Sequence, residues 1–158
     1  MRGNDKVIAV LNEMLKEELT AINQYFVHAE MCENWGYRKL GGFIKKQAID
    51  EMKHAEKLIE RVLFLDGTPK MAELLPLNIG PTVKAQLEND LKLEISAVAA
   101  YNAAVKLAIE AGDHGSRELL EDLLEDEEEH VDWLEAQLHM VSEMGYENYL
   151  SQQMVEKE

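Results

Sequence analysis

Apolar side chains recur along most of this chain at intervals of three and four, the period of a helix with one buried face. The first run extends from Val7 to Cys32, with Leu11, Leu15, Leu19, Ile22, Tyr25, Phe26 and Ala29 forming its stripe. Asn4 or Asp5 can cap its start, and Trp35-Gly36 breaks the pattern. A second helix is predicted from about Tyr37 to Leu65, carrying Phe43, Ile44, Ala48, Ala55, Leu58, Ile59 and Val62; Gly67-Thr68-Pro69 stops it. The third runs from Pro81, a favoured first helical position, to Ala111, and the fourth from Ser116 to Met144. Gly112 and Gly145 close these two, and Tyr146 to Leu150 can add a short fifth helix.

Each main helix approaches 30 residues, or about 45 Å. Short links join the first to the second and the third to the fourth. The stretch from Gly67 to Gly80 is long and carries no clear period. Two helical hairpins joined by one crossover make the ferritin-like variant of the all-α four-helix bundle. No strand pattern competes with it. The length suits a single domain over 1–158, and an apolar share of 46% supplies its core. Charge narrows the function: 31 acidic residues against 16 basic ones give a net charge of -15, which argues against binding nucleic acid or an anionic membrane. No apolar run approaches the roughly 18 residues of a bilayer span. Met1 to Asp5 open no apolar signal region, so a cytoplasmic protein is expected. Cys32 is the sole cysteine, which excludes an internal disulfide, and reads as a small buried hydrophobe.

The chemistry lies in polar residues that interrupt the apolar stripes. Glu18 falls between Leu15 and Ile22, and Glu94 between Leu91 and Val98. Glu51 and His54 sit one turn apart among Ala48, Ala55 and Leu58, as do Glu127 and His130 between Leu124 and Leu134. All six are near mid-helix and so converge halfway along the bundle. Four carboxylates in an apolar core need cations, and the inner stripes offer no Lys or Arg at that level. Two divalent metals would balance them, with two neutral imidazoles completing the ligand set. One Glu from each of two helices, with Glu-x-x-His from each of the other two, is the di-iron or di-manganese carboxylate pattern. The pairs Glu18 and Glu94, Glu51 and Glu127, His54 and His130, and Tyr25 and Tyr101 are all 76 residues apart. The first hairpin thus repeats in the second, and Glu51 and Glu127 are placed to bridge two metals. Oxygen and imidazole donors without sulfur suit iron or manganese, and iron adds redox chemistry with oxygen or peroxide.

Over its whole length the sequence resembles the bacterioferritins. The likeness rests on Asn23-Gln24-Tyr25-Phe26, the run Ile49 to Glu56, Leu77-Asn78-Ile79-Gly80, the run Asp126 to Leu134, and the tail Met144 to Leu150. It implies iron storage and detoxification by a cytoplasmic ferroxidase, in a twenty-four-subunit shell of twofold dimers enclosing a ferric mineral. It places Glu18, Glu51, His54, Glu94, Glu127 and His130 at the di-iron ferroxidase centre, where Fe(II) meets O2 or H2O2. It gives Tyr25 the role of an aromatic electron donor beside that centre. It places Met52 as axial ligand to haem b, one haem shared between the Met52 residues of a subunit dimer, and it implies a ferredoxin as electron donor for iron release.

The residues themselves leave Met52 open, since methionine also serves as a core gap-filler. Two features favour a ligand. Its counterpart in the repeat is Glu128, so it breaks the internal symmetry, and it points about 100° around the helix from Glu51, off the metal face. An inner-surface iron site of some family members needs a His and an Asp one turn apart; here Asp50 is present but Lys46 replaces the His. His28, His114 and His139 lack ligand-spaced partners and read as surface or interface residues, and Trp35 and Trp133 as packing residues. The alternatives are a rubrerythrin-like di-iron peroxidase or oxidase, a haem protein in which iron oxidation is secondary, and a metal-free bundle. The lack of a Cys-x-x-Cys unit counts against the first, and the carboxylates on the inner stripes count against the last.

Overall fold

A computed structural model describes residues 1–155 of the chain; the last three residues of the expected unit lie outside the described ones. Its helices run α1 Asp5–Asn34, α2 Arg38–Phe64, α3 Val83–Glu110, α4 His114–Met144 and α5 Tyr146–Ser151. No strand occurs among the described residues. No helix there is long and apolar enough to cross a membrane.

Local chemistry sets each boundary. The Asn4 side chain accepts from the backbone N–H groups of Lys6 and Val7, so Asn4 rather than Asp5 caps α1. The start of α3 is two residues later than Pro81 suggests, because the Thr82 hydroxyl accepts from Ala85 N–H and makes Thr82 the cap. In α4 the helix begins two residues before Ser116, because the Asp113 carboxylate takes the Ser116 N–H at 3.0 Å. Arg61 then ties α2 to this cap, donating to Asp113 and Ser116 at 2.9 Å each. Gly112 adopts φ +71° just past the end of α3, a conformation that costs a side chain strain.

Helices α1 and α2 pack as one hairpin and α3 and α4 as the other, with α1 lying against α3. The apolar interior forms two clusters. One gathers Leu11, Leu15, Leu58, Val62, Ala104 and Leu120; the other gathers Ala29, Ile44, Ala48, Leu87, Leu134 and Val141. Short α5 closes the second end: Tyr149 donates its hydroxyl to Gln137 at 2.7 Å, and Gln153 O accepts from Lys39 N–H.

The crossover between α2 and α3 has no regular structure, yet it is fixed. One face of α1 binds its backbone step by step. Asn12 holds Thr68 and Lys70, Thr20 holds Leu75, Gln24 holds Asn78, and His28 holds Gly80. The crossover therefore climbs parallel to α1, and α3 descends beside it. His28, expected at a surface or interface, is completely buried here. Its Nε2 accepts from Gly80 N–H at 3.0 Å, so Nδ1 carries the proton and donates to Asp90 at 2.8 Å. Gly80 must be glycine, because a Cβ there would lie 2.4 Å from the Gln86 backbone nitrogen.

One aromatic expectation changes. Trp35, read as a packing residue, caps the end of α1 at 39% exposure. Phe43 stands out of the α2 stripe and stacks on Trp133, with ring centroids 4.4 Å apart. His114 and His139 are exposed, and Cys32 is buried.

Candidate metal centre

Between the two apolar clusters the interior turns polar. Glu18 from α1, Glu51 and His54 from α2, Glu94 from α3, and Glu127 and His130 from α4 are all buried at one level. The structure brings all six sequence-expected residues together. Their ligand atoms form two groups: Glu18, Glu51, His54 and Glu127 in one, and Glu51, Glu94, Glu127 and His130 in the other. Within each group the candidate donor atoms lie within 4.8 Å of one another. Glu51 and Glu127 belong to both, as bridging residues must.

Both imidazoles turn Nδ1 inward. His54 Nδ1 lies 3.0 Å from Glu127, 3.5 Å from Glu18 and 3.6 Å from Glu51. His130 Nδ1 lies 2.9 Å from Glu51, 3.4 Å from Glu127 and 3.6 Å from Glu94. The rings face each other at a centroid distance of 6.4 Å. Tyr101 donates its hydroxyl to Glu18 Oε1 at 2.5 Å, and Tyr25 donates to Glu94 Oε1. Burial pushes both phenols well above their usual range, and the charges of Glu94 beside Tyr25 and Glu18 beside Tyr101 add to it.

The electrostatics are those of a site built for cations. Burial, then the charge of Glu127, raises Glu18; burial, then the charge of Glu18, holds Glu51 well above the usual carboxylate range. Glu94 is likewise held well above it, by burial and then by Glu127. Burial would also push Glu127 up, but its close contacts with Glu94, His130 and His54 carry it well below its ordinary value. Burial alone would lower His54, yet its hydrogen bond with Glu127 and the nearby Glu18 carboxylate bring it to about 11; the neighbouring Glu127 and Glu94 carboxylates bring His130 to about 10. Protons and imidazolium charge thus compensate the carboxylates where no metal does.

Whether a metal pair fits can be read from the unpaired atoms. Glu18 Oε2, Glu51 Oε1, Glu94 Oε2, Glu127 Oε2 and His130 Nδ1 are buried without a hydrogen-bond partner among the described residues. Buried polar atoms are rarely left this way. Five gathered at one level, all of ligand type, fit divalent metal ions.

One neighbour of the centre was not singled out in the sequence. Asp126 lies 3.0 Å from the outer nitrogen of His54, Nε2. It repeats Asp50 at the same 76-residue offset, which was the available signal. Asp50, Lys53, Lys57, Asp126 and Glu129 ring a depression of about 240 Å³ that reaches His54 and His130. The centre therefore opens to the surface on its histidine side, between α2 and α4. Met52 is 47% exposed, and Ile49, one turn before it, is 41% exposed.

A family profile for the ferritin-like domain matches residues 8–144. A bacterioferritin of Mycolicibacterium paratuberculosis is 41% identical over 152 residues, covering 96% of each chain. Bacterioferritins of Brucella melitensis and Rhodobacter capsulatus are 43% and 42% identical over 149 residues, covering 94% of this chain and 92% of theirs.

Proposed function

Because the chain belongs to the bacterioferritin family, we propose that it stores iron and oxidises Fe(II) at the centre described above. The observation that carries this reading is the pair of buried ligand groups sharing Glu51 and Glu127, five of whose buried atoms lack a hydrogen-bond partner among the described residues. Two Fe(II) ions are the substrate. Glu18 and His54 hold one, Glu94 and His130 hold the other, and Glu51 and Glu127 bridge them. O2 or H2O2 accepts two electrons from the bound pair together, which avoids one-electron reduction products. The ferric product passes to a mineral inside a twenty-four-subunit cytoplasmic shell. The depression edged by Asp50, Asp126 and Glu129 offers carboxylates along the way. Tyr25, hydrogen-bonded to Glu94, is assigned the supply of an electron by analogy with the family.

Haem b belongs to the same proposal. The exposed Met52 and Ile49 give α2 an apolar face that a second subunit would cover, and the two Met52 side chains would be the residues that hold one haem between them. A haem held there would supply one-electron transfer chemistry, with a ferredoxin as the donor for release of iron. Met52→Leu nearly keeps the volume and removes the sulfur. The purified variant is expected to lose its Soret band, to assemble as before and to oxidise iron normally. An unchanged haem spectrum would assign the axial ligand to another residue.

The oxidation itself is tested by stopped-flow mixing with Fe(II), following ferric absorbance. His54→Ala and His130→Ala should each lower the rate of the fast phase by about a hundredfold or more. The double variant should be little worse than either, since the ligands act as one unit. A single variant oxidising at the wild-type rate would place the oxidising site elsewhere.

A further inference from the structure

Every ligand of the centre is accounted for by the 76-residue repeat, and so is one residue that the proposed function leaves without a task. Tyr101 is the repeat partner of Tyr25 and is completely buried. On α1, Glu18 and Tyr25 are seven residues, or two turns, apart; on α3, Glu94 and Tyr101 have the same spacing. Because α1 and α3 run in opposite directions, each tyrosine meets the carboxylate of the other helix. Tyr25 bonds Glu94, and Tyr101 bonds Glu18. The two phenols come from opposite ends, Tyr101 from the cluster around Leu15 and Leu58, Tyr25 from the cluster around Ala48 and Leu134.

The two bonds have the same consequence for their carboxylates. With Oε1 of Glu18 taken by Tyr101, Oε2 is the oxygen left over; it has no hydrogen-bond partner among the described residues and lies 3.5 Å from His54 Nδ1. Glu94 likewise has Oε1 held by Tyr25 and Oε2 unpaired, although there it is the tyrosine-bound Oε1 that lies 3.6 Å from His130 Nδ1. A carboxylate pinned through one oxygen cannot rotate freely in its cavity. It presents the other oxygen as a single donor. Partners of this kind, one bond removed from a metal, commonly govern affinity by a factor of about ten to a hundred.

We propose that Tyr101 is the positioning residue of the Glu18–His54 metal position, holding Glu18 as a one-oxygen ligand, so that each of the two positions has its own tyrosine. This rests on the two-metal reading given above. It assigns the tyrosines separately: Tyr101 acts on the Glu18–His54 side, and Tyr25 on the Glu94–His130 side. Neither substitutes for the other, because each hydroxyl reaches one carboxylate only.

The test is Co(II) titration of the full-length, metal-stripped protein, followed by the visible d–d bands, which report both affinity and coordination number without any turnover. The wild-type chain should bind two Co(II). In a His130→Ala background, where the Glu18–His54 position is the intact one, Tyr101→Phe should weaken Co(II) binding at least tenfold. Its bands should also fall in intensity as the released Glu18 adds a second oxygen, a change that loss of packing alone would not cause. Tyr25→Phe in that background should leave the Co(II) affinity within twofold. In a His54→Ala background the two tyrosine variants should exchange roles. Tyr101→Leu also lacks the hydroxyl and gives the same comparison should the phenylalanine variant fail to fold. Equal weakening by both tyrosine variants in both backgrounds, or none by Tyr101→Phe, would overturn the assignment while leaving the two-metal centre standing. A wild-type chain that binds no Co(II) would overturn both.

Discussion

Two buried polar clusters lie about one to three turns apart along α1 and α3, and they are built on opposite principles. In the first, Gln24, His28 and Asp90 satisfy one another. Asp90 accepts from Gln24 Nε2 and His28 Nδ1 at 2.8 Å each, and the remaining acceptors of Gln24 and His28 take the backbone N–H groups of Asn78 and Gly80. In the second, four glutamates and two histidines leave five buried atoms without partners among the described residues. Burial is nearly complete in both, so burial does not separate them. The state of the hydrogen bonds does. A closed network fixes the crossover on α1; an open one keeps its donor atoms for something the chain must bind.

That contrast predicts opposite responses to metal. Ligands that bind the folded state alone stabilise it, by about 4 kcal/mol at a concentration a thousandfold above the dissociation constant. Zn(II), a redox-inert probe, should therefore raise the melting temperature of the chelator-treated protein substantially, and the gain should grow with pH. Glu18, Glu51 and Glu94 are raised in the folded chain, so the stability they contribute is full below the ordinary carboxylate range and is lost as pH rises through their folded values. His54 and His130 act in the same sense, their share being full below pH 6.5 and lost toward about 11 and 10. Glu127 opposes them, its contribution being lost on acidification. Metal displaces the protons, so the gap between metal-loaded and metal-free melting temperatures should be wider at pH 8 than at pH 6. Glu94→Gln should shrink the gap and flatten the decline of the metal-free form. Equal melting of loaded and chelated protein would remove the distinction between the clusters.

The closed cluster should behave in the reverse way. Asp90→Ala strands two buried donors, Gln24 Nε2 and His28 Nδ1, each costing about 1–3 kcal/mol, so a loss of about 3 kcal/mol is expected. Added Zn(II) should leave that deficit in place, since the metal ligands are untouched. Denaturant unfolding with and without metal measures both quantities. A deficit erased by metal would mean that the two clusters are one coupled unit.

The open cluster was legible in the sequence and the closed one was not. Glu18, Glu51, His54, Glu94, Glu127 and His130 each interrupt an apolar stripe, and a single offset links them, so periodicity alone collected the ligand set. His28 gave no such signal, because its partner Asp90 is 62 residues away on another helix and nothing in the spacing connects them. The crossover was unreadable for a related reason. Its order comes from polar side chains of α1 gripping an extended backbone, and neither shows a hydrophobic period. Yet Asn12, Thr20, Gln24 and His28 stand four or eight residues apart on one face of α1, a polar stripe that marks the path once the extended strand of chain beside it is known. The exposed Phe43 was read into the α2 stripe because an apolar pattern cannot tell a face turned to the core from one turned outward in a single chain.

The smallest effect tests whether this polar stripe holds the crossover in separable steps. Thr20 is completely buried; its hydroxyl donates to Lys16 O at 2.7 Å within α1 and accepts from Leu75 N–H at 2.9 Å. Thr20→Val fills the same space without the oxygen and leaves the Leu75 N–H, only half-buried, to find water. The expected cost is about 1 kcal/mol, the net worth of one such bond. Because the neighbouring grips at Asn12 and Gln24 are independent of it, the loss should stay local. Amide exchange should quicken at Leu75 and its neighbours, while the protection of Gly80, held by His28, stays as it was. The metal gain should also be unchanged, although Thr20 lies only two residues from Glu18, because the two side chains face different elements. Loss of protection spreading to Gly80 would show that the crossover is held as one cooperative segment, and the stripe would then count as a single device rather than four.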